Sequence, residues 1–124
     1  MNYFAIAFGA VLGALSRYGI FIFLGEKLVA LPLRTLVVNI LGCFVVGLVA
    51  EYFALRHNVP IYVKLFFITG FLGSFTTFST FAMDAGIMIQ KNAIIATVMY
   101  AAISVIGGVL VYFGGIGLMR FLLR

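Results

Sequence analysis

The sequence predicts an all-α integral membrane protein built from four short transmembrane helices, and three observations carry that prediction. Hydrophobic residues make up 65% of the 124 residues and charged residues only 9%. That leaves too little polar surface to wrap a water-soluble core of this size. Charged and helix-breaking residues gather in three brief connections, Gly25-Glu26-Lys27 through Leu33, Arg56-His57-Asn58-Val59-Pro60, and Gln90-Lys91-Asn92. The apolar stretches between them, 3–24, 34–55, 64–89 and 93–119, each approach the ~20 residues a helix needs to cross the hydrocarbon. No soluble domain fits beside them, so the chain reads as one transmembrane domain over 1–124.

In the first span, Met1-Asn2-Tyr3 leads directly into apolar sequence without the basic region of a secretory signal, so the span is expected to be retained. Gly9 and Gly13 stand at the GxxxG spacing that lets helix backbones approach closely. Arg17 is the basic residue well inside this span. It either raises the positive potential of a vestibule, pairs with a carboxylate, or snorkels to the interface. The second span carries Asn39, whose amide can donate to an anion or join neighbouring helices, with Thr35 one turn earlier and within reach of it. Its Cys43, between Gly42 and Phe44, reads as a packed, inert thiol. Gly13, Gly42, Gly47, Gly86, Gly107 and Gly108 read as helix-packing positions.

The third span contains Gly70-Phe71-Leu72-Gly73-Ser74-Phe75-Thr76-Thr77-Phe78-Ser79-Thr80-Phe81 near the bilayer midplane. Within this segment two glycines, five hydroxyl residues and β-branched Thr76-Thr77 weaken helical continuity, which predicts a break near 73–77. Such a break frees carbonyls suited to a hard cation such as Na⁺ and exposes N–H groups where the helix restarts. The hydroxyls of Ser74, Thr76, Thr77, Ser79 and Thr80 are rotatable donors for a dehydrated anion. Alternatively, they bond back to the preceding turn or join neighbouring helices. Phe75, Phe78 and Phe81 recur every third residue; such a stripe serves packing or lipid contact, or the positive edges of its rings line an anion path without a fixed charge.

The net charge of +5 does not point to nucleic acid, because eight Lys and Arg scattered singly form no basic patch or stripe. Counted by side, Arg56, Lys64, Arg120 and Arg124 face Lys27, Arg34 and Lys91. So even a balance gives the positive-inside rule little to act on, and opens insertion in both orientations beside a single one.

These residues resemble the CrcB/Fluc family of fluoride channels, and the match spans essentially the whole chain. It is carried by Gly13-Ala14-Leu15-Ser16-Arg17-Tyr18, by Val38-Asn39-Ile40-Leu41-Gly42-Cys43-Phe44 and, most specifically, by the third-span segment from Gly70 to Phe81. The resemblance implies a passive fluoride-selective channel, an antiparallel dual-topology homodimer with a broken third helix. It also implies two pores built from both subunits and a central structural Na⁺ as cofactor. It places the protein in the inner (plasma) membrane, exporting fluoride and protecting the cell from its toxicity. By the same resemblance, Phe78 and Phe81 are the pore phenylalanines and Asn39 the residue that orients the fluoride path. Thr77, Ser79, Thr80, Tyr100 and Ser104 add polar lining, and Gly73 and Thr76 offer backbone carbonyls to Na⁺. Asp84 stands where the family favours Glu.

The acidic residues are Glu26, Glu51 and Asp84. None falls at the predicted midplane site, which favours passive conduction over proton-coupled exchange, and nothing suggests an enzyme. The rival reading, a small dual-topology multidrug or cation exporter, expects a membrane-embedded Glu in the first span, which has none.

Overall fold

The computed structural model describes residues 1–25, 31–56 and 58–124. Glu26, Lys27 and His57, which belong to the predicted connections, lie outside the described residues. Among the described residues the fold is all-helical, with four helical runs long and apolar enough to cross a membrane. Span one is α1, Asn2–Leu24, and span two is α2, Leu33–Leu55. Span three, Ile61–Gln90, contains α3 (Ile61–Lys64), a π-helical stretch (Leu65–Leu72), α4 (Gly73–Phe75) and α5 (Phe78–Gln90). Span four, Ile94–Leu122, contains α6 (Ile94–Ala102), a second π-helical stretch (Ile103–Gly107) and α7 (Gly108–Leu122).

The third and fourth spans reach beyond the predicted 64–89 and 93–119. Pro60 starts the third with a fixed φ of −58°, so Lys64 lies inside the helix, as Arg120 does in the fourth. Long basic side chains tolerate this because their heads reach the interface while their stems stay apolar. Between spans three and four the chain turns at Asn92, whose φ of 57° is left-handed, a conformation asparagine tolerates better than most residues.

Pairing follows the small residues. Span one packs chiefly on span three, and α2 chiefly on α7. On the first seam, a Cβ added to Gly70 would lie 2.6 Å from the Ile6 carbonyl oxygen and 3.1 Å from Gly9 Cα. On the second, a Cβ on Gly115 would lie 2.9 Å from the Leu48 nitrogen. These are backbone-to-backbone contacts, the close approach that drives helix association where lipid is as apolar as the side chains. Gly86, predicted as a packing position, has nothing within 4 Å. The α2–α7 seam ends in an ion pair: Arg120 Nε donates to Glu51 Oε1 at 2.8 Å. Glu51 is buried, and a carboxylate at that depth requires such a partner.

The buried apolar core is small, comprising Val38, Leu72, Phe75, Met88 and Tyr100, while large apolar residues cover the outside. Lipid accepts that exterior, whereas water would not.

Candidate functional site

Within span three the helical ladder runs as far as the Thr76 N–H, which donates to the Leu72 carbonyl at 3.0 Å. Thr76 and Thr77 are then extended, with ψ of 158° and 115°, whereas Gly73 at the other end of the suspected segment is helical. Thr76 turns its hydroxyl back to the Leu72 carbonyl at 2.9 Å, the local alternative open to any membrane threonine. Thr77 is held from outside. Its N–H donates to Asn39 Oδ1 at 2.8 Å, and its carbonyl accepts from Asn39 Nδ2 at 3.0 Å. Its Oγ1 caps α5 by accepting the Thr80 N–H at 3.2 Å, donates to Thr80 Oγ1 at 3.0 Å, and lies 3.3 Å from Ser79 Oγ.

Because the chain is extended at Thr76 and Thr77, the three phenylalanines do not share one side. Phe75 is buried and stacked on Phe71, with centroids 5.9 Å apart. Phe78 and Phe81 pair separately at 5.6 Å, and Phe81 continues to Tyr100 at 5.1 Å. Phe78 is 80% exposed at mid-span, and Gly73 and Ser79 beside it are exposed as well.

Two cavities meet at the first turns of α5. One, of about 480 Å³, is lined by Asn39, Thr76, Thr77, Phe78, Phe81 and Ser104 among others, with Cys43 in its wall. The other, of about 330 Å³, is lined by Arg34, Thr35, Thr80 and Asp84 among others. The Thr77–Thr80 hydroxyl contact joins the lining of the two cavities.

Asp84 is placed differently from the sequence expectation. It lies beyond Phe81 in the chain, yet its carboxylate stands in the polar cluster, where Oδ2 accepts the Thr35 hydroxyl at 2.6 Å and the Tyr100 hydroxyl at 3.4 Å. Thr35 is therefore spent on Asp84 rather than on Asn39. Tyr100 is fully buried and lines neither cavity directly. Ser104 lines the larger cavity while donating to the Tyr100 carbonyl at 2.7 Å. Sequence reading put Thr35 and Asp84 outside the site; the signal available was the spacing of Asp84 from Phe81, which puts both on one face of α5. Arg17 is half-buried and makes no polar contact among the described residues, while Phe21 and Leu24, further along its helix face, line the smaller cavity.

In chemical terms the site is a row of hydroxyl and amide groups beside aromatic rings, most of their hydrogens given to protein acceptors, with the second Asn39 Nδ2 hydrogen and the Thr80 hydroxyl hydrogen uncommitted among the described residues and one carboxylate satisfied by two hydroxyls. Such a row can replace the hydration of a small anion step by step.

Comparison with known proteins gives one consistent result. Residues 4–116 match the family described as CrcB-like protein, Camphor Resistance. A protein of Rhizobium etli (strain CIAT 652), named fluoride-specific ion channel FluC, is 38% identical over 124 residues, covering 96% of each chain. Proteins of the same name from Chloroflexus aurantiacus and Rhodopseudomonas palustris (strain BisB5) are each 36% identical over 121 residues. They cover 97% of this chain, and 96% and 98% of their own.

Proposed function

This chain belongs to the CrcB-like family, and from that premise we propose that it is a subunit of a passive fluoride-selective channel, not an enzyme, exporting fluoride across the plasma membrane and so protecting the cell from its toxicity. The observation that carries the reading is the polar row from Asn39 through Thr77 to Thr80, in which the second Asn39 Nδ2 hydrogen and the Thr80 hydroxyl hydrogen stay uncommitted among the described residues, set against Phe78 and Phe81. Fluoride is small and strongly hydrated, so its path must offer many donors to compensate dehydration. Hydroxyls, amide N–H groups and ring edges do this without a full positive charge to trap the ion. The larger cavity offers Asn39, Thr77 and Ser104 together with both rings. The smaller continues the row through Thr80, and Thr35, with Tyr100 at longer range, holds the Asp84 carboxylate in its wall. Ser79, exposed beside Phe78, extends the lining toward a partner subunit.

The working unit is an antiparallel homodimer with two pores. Exposed backbone at Gly73 and an exposed hydroxyl at Ser79, both at mid-span, are poor neighbours for hydrocarbon, which cannot satisfy polar groups. A second copy covers them and brings its own ring to each path. The even charge count supports insertion in both orientations. Na⁺ at the centre of this dimer fits the donors present. The Gly73 carbonyl has lost the Thr77 N–H that a continuous helix would give it, and Thr76 presents an extended carbonyl nearby. A bound Na⁺ would satisfy those oxygens and tie the two third spans together.

The test is flux through liposomes holding the purified protein alone. Current that reverses at the fluoride equilibrium potential is the expected outcome. Proton-coupled cation flux without fluoride current would refute the channel in favour of an exporter.

A further inference from the structure

We propose that Asn39 is the residue that keeps span three open at Thr76 and Thr77, which makes it a positioning residue for both the carbonyl ligands and the pore rings. In a continuous helix the Thr77 N–H would donate to the Gly73 carbonyl four residues back. The step before it still obeys that rule, since the Thr76 N–H reaches the Leu72 carbonyl at 3.0 Å. The ladder stops at the residue whose N–H Asn39 takes at 2.8 Å and whose carbonyl Asn39 satisfies at 3.0 Å. A carboxamide carries a donor and an acceptor side by side, so one uncharged side chain serves both polar groups of an extended residue. Within a membrane that service matters, because a freed N–H or carbonyl left without a partner is costly.

Two consequences follow from the same pair of bonds. Diverting the Thr77 N–H releases the Gly73 carbonyl from helical duty. Fixing Thr77 in the extended state also lets its hydroxyl cap α5, which sets the direction from which Phe78 and Phe81 depart. A single side chain on span two thus couples cation affinity to ring placement on span three. This coupling rests on the Na⁺ reading given above. The rival cause is intrinsic, namely the preference of two adjacent β-branched residues for extended backbone.

Carbon chemical shifts of labelled Thr76 and Thr77 in the full-length protein distinguish the two causes, because they report backbone conformation directly. In N39L, similar in volume but without polar atoms, the Thr77 shifts should move from extended toward helical values. In N39D the carboxylate still accepts the Thr77 N–H, and the shifts should stay extended. Thermal unfolding in NaCl against choline chloride supplies the second readout. N39L should raise the Na⁺ concentration needed for half-maximal stabilisation by about tenfold or more, as expected when a ligand to a charged group is lost, while N39D should not raise it.

Extended Thr77 shifts in N39L overturn the proposal, as does an unchanged Na⁺ response in an N39L protein whose Thr77 has become helical. If N39L does not fold, N39A is read in the same two ways. A wild-type protein indifferent to Na⁺ removes the cation and its coupling to Asn39, whereas the threonine shifts still decide whether Asn39 holds the chain open.

Discussion

Replacing Gly70 by alanine probes the seam that sets the position of span three, and its effect can be worked from distances. The added carbon would lie 2.6 Å from the Ile6 carbonyl oxygen, 3.1 Å from Gly9 Cα and 3.2 Å from the Ala10 nitrogen, all backbone atoms that no rotamer change can move. Carbon and oxygen meet comfortably at about 3.3 Å or more, so span one and span three must part by roughly 0.7 Å at this level. A gap of that size forfeits about a quarter to a half of the attraction of each atom pair along the seam. We therefore expect Gly70→Ala to destabilise the protein by about 1–3 kcal/mol, the usual cost of overpacking. Unfolding of the purified protein in detergent measures it, with Gly19→Ala and Gly114→Ala as controls. Among the described residues a Cβ at either control position would meet nothing within 4 Å outside its own helix, and removing glycine from an open helix position should leave stability equal or raised by about 0.4–1 kcal/mol. Fluoride flux should fall in Gly70→Ala by more than the loss of folded protein explains, because Thr76 and Thr77 lie less than two turns further along the displaced span. A Gly70→Ala protein as stable as its controls would show that the seam is not packed as described.

The other predictions concern polar and aromatic side chains. Phe78→Ile and Phe81→Ile should each slow fluoride flux in liposomes while the dimer stays assembled by crosslinking; unchanged flux in both removes the rings from the mechanism. Thr35→Val should cost more stability than Tyr100→Phe, because the 2.6 Å bond to Asp84 is a charge-assisted bond worth about 1.5–3 kcal/mol and the 3.4 Å bond is far weaker; equal unfolding midpoints would contradict that ordering. Arg120→Ala should lower the unfolding midpoint more than Glu51→Ala. The first strands a buried carboxylate, whereas the second leaves an arginine side chain that is 65% exposed and able to rehydrate.

The spans were legible because hydropathy and length act locally, and lipid leaves the backbone few alternatives to helix. The hydroxyl-rich segment was legible for the same reason, as a run of poor helix formers where a helix was required. What escaped was pairing at a distance. Thr35 finds Asp84 across 49 positions of sequence, and Arg120 finds Glu51 across 69. Neither pair has a periodicity to announce it. Phe75 was grouped with Phe78 and Phe81 by counting every third residue, a count that holds only while the helix continues. Two extended threonines turn the rest of the span away and separate the rings. Asn39 was recognisable as a polar residue in an apolar helix, but its two bonds to Thr77 depend on how α2 lies against span three.

The seams also say something about time. Span one packs on span three and span two on span four, so the main partner of each helix is not its neighbour in sequence but the span two places away. A growing chain enters the bilayer one helix at a time, and its early helices must wait there without their partners. The second seam, with its Glu51–Arg120 closure, cannot form until the last span has been made. Nascent chains halted before residue 94 should accordingly remain open to protease at both ends of span two, becoming resistant only when span four has emerged. In such a protein the first seam can close once span three has emerged, whereas the second must wait for span four.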